Sequence, residues 1–291
     1  MKIADWVEAL RPRHWVKSGF CFSAVFFSGN AGEFGAWWHV VPVAIAFSVL
    51  ASAGYLLNDV INRREDCHHP RKKHRAVASG RLTPRAALVV SGILMIAGMA
   101  SVVRVYGAGP VLVSTGCYVA VTVLYSVLIR NVPVLDVLVL AWGFVLRVIS
   151  GAFALSLVFP DVKPTVWLVV CTYALALLLG FGKRRAELLV LKAAGERIGS
   201  TRGALRGYSP RRLDVLVGVS ALMSGASYVT YCIMRESPVF LVTIVPVVVG
   251  LMSYLRMAGR SAEVETPEDL ILHNAILFSC VGIWLVLVAL L

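Results

Sequence analysis

YLLNDVINRREDCHHPRKKHRAVASGRLTPR, residues 55–85, leaves a hydrophobic run and passes directly into a cluster of basic residues. On a helix, Asn58, Asn62 and Asp66 are spaced by four, and Asp59 lies three before Asn62 and seven before Asp66. Steps of three and four keep side chains on one face. Four oxygen-bearing groups therefore form a stripe roughly 12 Å long at 1.5 Å per residue. Such an oxygen-only set suits a hard cation such as Mg²⁺, which takes one or two carboxylates and completes its shell with substrate phosphates and water. Eight Lys or Arg follow between Arg63 and Arg85, and these groups are natural partners for phosphate oxygens. A solvated inner loop would account for the basic residues but not for the acid and amide stripe.

Outward from this stretch the chain is apolar. With 58% hydrophobic and 15% charged residues among 291, it is not a soluble globular domain. A membrane-crossing helix needs roughly 20 mostly apolar residues. Nine candidates are expected, at about 14–29, 39–57, 86–103, 109–128, 134–157, 165–182, 213–233, 239–255 and 270–290. No small-residue cleavage site follows the first apolar run, so no cleavable signal peptide is expected. Residues 2–11 place Ile3, Trp6, Val7 and Leu10 on one face, the pattern of an interfacial helix. The expected fold is all-α, one membrane domain over 1–291 with two large inner loops at about 58–85 and 183–212.

Charge orients these spans. With the N-terminus inside, only Arg104, Lys163 and Arg235 fall in outer loops and Arg147 within a span; the rest of the 28 Lys and Arg lie on the inner side. That bias predicts N-terminus in and C-terminus out, in a multi-pass protein of the plasma (bacterial inner) membrane. The net charge of +12 thus reports topology first, and favours anionic lipid and phosphorylated substrates at the inner face. Nucleic acid is not an expected partner, because the cations sit in short loops between spans. The six cysteines have no paired spacing, which gives no disulfide framework. Cys67-His68-His69 lacks the spacing of a zinc site.

Two further clusters carry charge. GFGKRRAEL (180–188) puts Lys183, Arg184 and Glu187 at the inner end of the sixth span, with Glu187 in reach of either cation. Asp136 stands near the inner end of the fifth span. Arg147 follows eleven residues later, about 20° off the same face and roughly 16 Å deeper. A cation at that depth by default faces a polar cavity. Gly143 and Gly151 flank it at steps of four, which suits either a ligand or a close helix neighbour.

RPRHWVKS (11–18), YLLNDVINRREDCHHPRKKHRAVASG (55–80), YSVLIRNVPVLD (125–136), GFVLR (143–147) and GKRRAEL (182–188) occur in that order. In this the chain resembles the UbiA-type intramembrane prenyltransferase superfamily, nine helices around a cavity open to the cytoplasmic face. More narrowly it looks like the decaprenyl-phosphate phosphoribosyltransferase branch, which makes an arabinan precursor. The resemblance implies Mg²⁺-dependent transfer of 5-phosphoribosyl from phosphoribosyl pyrophosphate to a polyprenyl phosphate, releasing pyrophosphate. It implies Asp59, Asp66 and Asp136 as catalytic residues, with Asp59, Asp66 and Asn62 toward the metal. Lys17, Asn58, Lys72, Arg75, Tyr125, Arg147, Lys183 and Arg184 are then the substrate-binding residues. Among these, Lys17, Lys72 and Arg75 are candidates for the donor phosphates and Arg147 and Lys183 for the lipid phosphate. The bilayer is the implied surroundings, and a homo-oligomer is compatible with the pattern.

Departures are informative. The superfamily pattern NDxxDxxxD has Asn62 here at its middle acid, and the second pattern, DxxxD, has Leu140 four residues after Asp136. Ser18 and Ala76 replace an asparagine and a proline expected in the branch. The missing second aspartate is a trait of the phosphoribosyl branch. It counts against the alternative reaction, transfer of a prenyl group from a prenyl diphosphate to an aromatic or other isoprenoid acceptor. A transporter or lipid scaffold would predict broken helices paired in two halves, which the sequence does not display.

Overall fold

A computed structural model describes residues 2–68, 72–193, 203–235, 238–260 and 274–290, and every element among them is helical. The helices are α1 (Ile3–Leu10), α2 (Ser23–Phe27), α3 (Phe34–Ile61), α4 (Arg63–His68), α5 (Pro84–Tyr106), α6 (Pro110–Leu124) and α7 (Leu135–Ser156). They continue with α8 (Val166–Ala193), α9 (Pro210–Met234), α10 (Pro238–Val242), α11 (Ile244–Arg260) and α12 (Ala275–Ala289). A 3₁₀ helix over Pro12–Phe22 leads into α2, and a π-helical turn over Tyr125–Ile129 ends α6.

Seven of these stretches are long and apolar enough to cross a membrane, the last of them made by α10 and α11 together. Two expected spans differ. The one at 14–29 is the 3₁₀ run plus five residues of α2. The one at 270–290 is described only from 274, where α12 has 15 residues. The loop expected to open at 183 is also revised: α8 runs on to Ala193, so Lys183, Arg184 and Glu187 stand on a helix. Residues 194–202 of that loop, and His69 to Arg71 of the first one, lie outside the described residues.

Local chemistry explains the boundaries. Thr83 and Ser209 cap α5 and α9 by accepting from Ala86 N and Arg212 N, each ahead of a proline in the first turn, where a missing N–H is harmless. Pro42 lies inside α3, where its ring disturbs the preceding turn. The Tyr106 hydroxyl repairs the damage: it donates to His39 O at 2.6 Å and accepts from Val43 N at 3.1 Å. It thus replaces the direct bond between those two groups, as freed backbone inside a membrane requires.

The helices form a ring. The 3₁₀ run packs on α3 and α7, α3 on α5, and then α5 on α6, α6 on α7, α7 on α8 and α8 on α9. α9 packs on α11, α11 on α12, and α12 returns to α2. α3 and α7 are the most buried spans. One core joins Phe47, Leu50 and Val25 to Leu155, and another joins Leu178, Leu188 and Leu191 to Leu205 and Leu213. α1 lies on a third, formed by Leu56, Ala76, Val77 and Leu82, with Trp6 and Leu10 turned in and Ile3 and Val7 exposed.

Candidate functional site

The ring encloses a cavity of about 1840 Å³. Its wall is mostly apolar, but one end carries Arg11, Lys17, Lys72, Arg75, Arg130, Lys183 and Arg184. These cations meet the oxygen stripe where α3 gives way to α4. Asn62 occupies the junction, with its N–H on Asn58 O and its own carbonyl accepting from Asp66 N. The chain keeps nearly helical register across it, so the stripe read from spacing survives the break.

Two charge networks result. In the first, Asp59 pairs with Arg11 at 2.6 Å and Arg75 at 3.1 Å, and Asp66 pairs with the same Arg75 nitrogen at 2.8 Å. Both acids are at most 2% exposed. Burial pushes the Asp66 carboxyl above its ordinary value, against the opposing pull of Arg75 and Lys72. Beside this network Arg130 pairs with Glu65 at 3.0 Å. In the second, Lys72 reaches Glu187 at 2.5 Å, Glu187 holds Arg184 at 2.6 Å, and Arg184 Nε meets Asp136 at 3.0 Å. Tyr208 completes it by donating to Asp136 Oδ1 at 2.8 Å and accepting from Val134 N at 2.6 Å. Val134 has φ 68°, a conformation rare for a β-branched residue and costing about 1–3 kcal/mol. That bend starts α7 and seats Asp136 inward.

The sequence candidates divide by exposure to the cavity. Lys17, Asn58, Lys72, Arg75, Tyr125, Arg147, Lys183 and Arg184 line it; Asp59, Asn62, Asp66 and Asp136 stand behind them. Asn62 spends its amide on Asn58, donating to the backbone oxygen at 2.6 Å and to Oδ1 at 2.8 Å. Asp136 is fully buried and touches the cavity through Arg184. Arg147 lies deeper, as its spacing predicts. It donates to Gly143 O and Tyr118 Oη, each at 2.8 Å, beneath the rings of Tyr118, Phe47 and Phe144.

A divalent cation fits the first network. The donors are all oxygens, and Asp66 Oδ1 is buried with no hydrogen-bond partner. Among the described residues no group of three or more His, Cys, Asp or Glu could hold a metal. Two carboxylates suffice for Mg²⁺ when substrate phosphate supplies the remaining ligands.

Arg11, Arg130, Glu187 and Tyr208 complete the networks and were not singled out as site residues from sequence. Arg130 carries a sequence signal, since it closes the YSVLIR run of the stretch 125–136; the structure adds a π-helical turn just before it, a feature frequent at functional sites. Tyr208 gave none.

The UbiA prenyltransferase family matches residues 19–274. A decaprenyl-phosphate phosphoribosyltransferase of Mycolicibacterium smegmatis is 25% identical, covering 94% of this chain and 88% of the relative. One of Corynebacterium glutamicum is 28% identical, covering 93% and 81%. Among solved structures, a UbiA homolog from Archaeoglobus fulgidus bound to GPP and Mg²⁺ superposes with TM-score 0.71 at 16% identity, covering 98% of this chain and 97% of that one.

Proposed function

The chain belongs to the UbiA prenyltransferase family, and from that premise we propose that it transfers 5-phosphoribosyl from phosphoribosyl pyrophosphate to a polyprenyl phosphate, releasing pyrophosphate. The observation that carries this reading is the cation excess in the cavity wall at one end, where seven Lys and Arg line it together with one acid, Glu187. A prenyl diphosphate brings only one diphosphate to a site. A phosphoribosyl donor carries phosphate at both ends of the sugar, and its acceptor adds another. The names of relatives that cover most of the chain point the same way.

The reaction breaks the bond from the ribose anomeric carbon to diphosphate and forms one to an acceptor phosphate oxygen. That oxygen is already anionic, so no strong general base is required. Mg²⁺ held by Asp59 and Asp66 would neutralise charge on the departing diphosphate. Lys17, Lys72 and Arg75 clamp donor phosphates, the kind of fixed electrostatic partner that matters most where charge shifts. Asn58 and Tyr125 sit beside them on the cavity wall to orient the sugar. Asp136 acts through Arg184, which it fixes in place. Lys183 and the deeper Arg147 serve the lipid phosphate, with the prenyl chain along the apolar wall.

In the membrane this reading puts the cationic end toward the cytoplasm, N-terminus in. The 3₁₀ run with α2 would supply a first crossing of about 30 Å, because a 3₁₀ helix rises about 2.0 Å per residue. α12 would supply the ninth.

The test is purified protein with radiolabelled phosphoribosyl pyrophosphate, polyprenyl phosphate and Mg²⁺, scored for a labelled lipid. Asp66→Asn should lower its formation by about 100-fold or more. Turnover of a prenyl diphosphate with an aromatic acceptor, and none of the labelled donor, would replace this reaction with the other.

A further inference from the structure

We infer that Arg75 is a built-in competitor of the divalent cation for Asp59 and Asp66, and that a diphosphate relieves the competition by drawing the guanidinium away. This rests on reading those two acids as the metal carboxylates. A single Arg75 nitrogen lies 3.1 Å from Asp59 Oδ1 and 2.8 Å from Asp66 Oδ2. One guanidinium N–H group between two acids fills space that a cation held by both would need. Arg11 holds the same Asp59 Oδ1 at 2.6 Å and so keeps that acid compensated, whereas Asp66 keeps Oδ1 without a partner. The acids do not line the cavity, but Arg75 does, with its side chain 27% exposed. It therefore stands between the cavity and the carboxylates.

Arg75 reaches the acids from the cavity side, where an incoming anion can compete for its guanidinium. It follows a three-residue 3₁₀ turn, Lys72–His74, whose Lys72 pairs with Glu187 on α8. Phosphate oxygens arriving in the cavity come within reach of this segment, and guanidinium–phosphate pairs are among the strongest hydrogen-bonded pairs. Once Arg75 turns to phosphate, two adjacent buried carboxylates lose a compensating charge, which is unfavourable unless another cation replaces it. Metal and donor thus load together, and linkage makes the effect reciprocal, typically 5–150-fold.

Mn²⁺ binding followed by electron paramagnetic resonance tests this without turnover. In phosphate-free buffer, Arg75→Gln should bind Mn²⁺ about 10–100-fold more tightly than wild type. The gap should close or reverse when pyrophosphate is added, since complexation of Mn²⁺ in solution is the same for both proteins. Unchanged or weaker Mn²⁺ binding by a variant that melts like wild type overturns the competition, and so does a gap that pyrophosphate leaves intact. The wild-type protein gives a second readout should the variant fail to fold. Mn²⁺ should increase modification of Arg75 by phenylglyoxal several-fold, read by peptide mass spectrometry, and protection by Mn²⁺ overturns the idea. Wild type that takes up no Mn²⁺ under any condition ends both the metal reading and the competition. Mn²⁺ binding with the predicted gap but no phosphoribosyl transfer leaves the competition standing and removes only the proposed reaction.

Discussion

Asn62 stands where the family pattern has an acid, and its amide hydrogens bond Asn58 O and Oδ1. An aspartate there cannot donate, so Asn62→Asp loses two hydrogen bonds at about 0.5–1.5 kcal/mol each. It also gathers a third carboxylate beside Asp59 and Asp66. The variant should melt below wild type in chelator, and Mg²⁺ should raise its Tm by more than it raises wild type's. An equal Mg²⁺ shift in both would mean that position 62 does not sense the metal. Arg147 poses a different question, because its visible partners are neutral: a carbonyl of its own helix and the Tyr118 hydroxyl. Arg147→Met keeps the length and apolar packing while deleting the charge. Affinity for polyprenyl phosphate should fall by about 2–5 kcal/mol with the protein still folded, measured by equilibrium binding of labelled lipid. A lowered Tm with unchanged affinity would assign the residue to packing between α6 and α7.

At the scale of elements, the 3₁₀ run is held by contact with α7, where Gly151 backs onto Cys21. A Cβ at Gly151 would collide with the carbonyl of Cys21, and backbone cannot yield as a flexible side chain can. Gly151→Ala should therefore destabilise the protein by about 1–3 kcal/mol or more, read as a lower Tm in detergent. Gly143, at the other step of four, would meet only Arg147 and Tyr118 side chains at ordinary distances. Gly143→Ala should fall within about 1 kcal/mol of wild type. The two glycines look alike in sequence. Spacing places them on one face of α7, but which of them carries a neighbour's backbone depends on how the preceding segment packs.

For the whole molecule, the proposed orientation has a direct check in native cysteines. Cys67 is exposed beside the cationic end of the cavity, whereas Cys21, Cys232 and Cys280 are buried and Cys117 lies on the outer surface of α6 within a span. A membrane-impermeant maleimide should label Cys67 in inverted vesicles and not in right-side-out ones, with Cys67→Ser removing the signal. The opposite pattern would invert the topology.

Much of the architecture is written in local pattern. Apolar runs of span length, a strong bias of cations to alternate loops and side chains repeating at three and four residues are properties of contiguous sequence. Hydrophobic length and helical periodicity act within a segment, so the seven long spans, the oxygen stripe and the depth of Arg147 follow from the residues alone. Which charge holds which is another matter. Arg11 reaches Asp59 across 48 residues, Tyr208 reaches Asp136 across 72, and Lys72 reaches Glu187 across 115. A buried ion pair is tolerable only when both partners leave water together in good geometry, and that geometry arises where distant helices meet. The 3₁₀ form of the first segment and the retreat of Asp136 behind Arg184 have the same origin. Only the tertiary structure decided them, because the energies that choose between local alternatives come from packing between segments and not from within them.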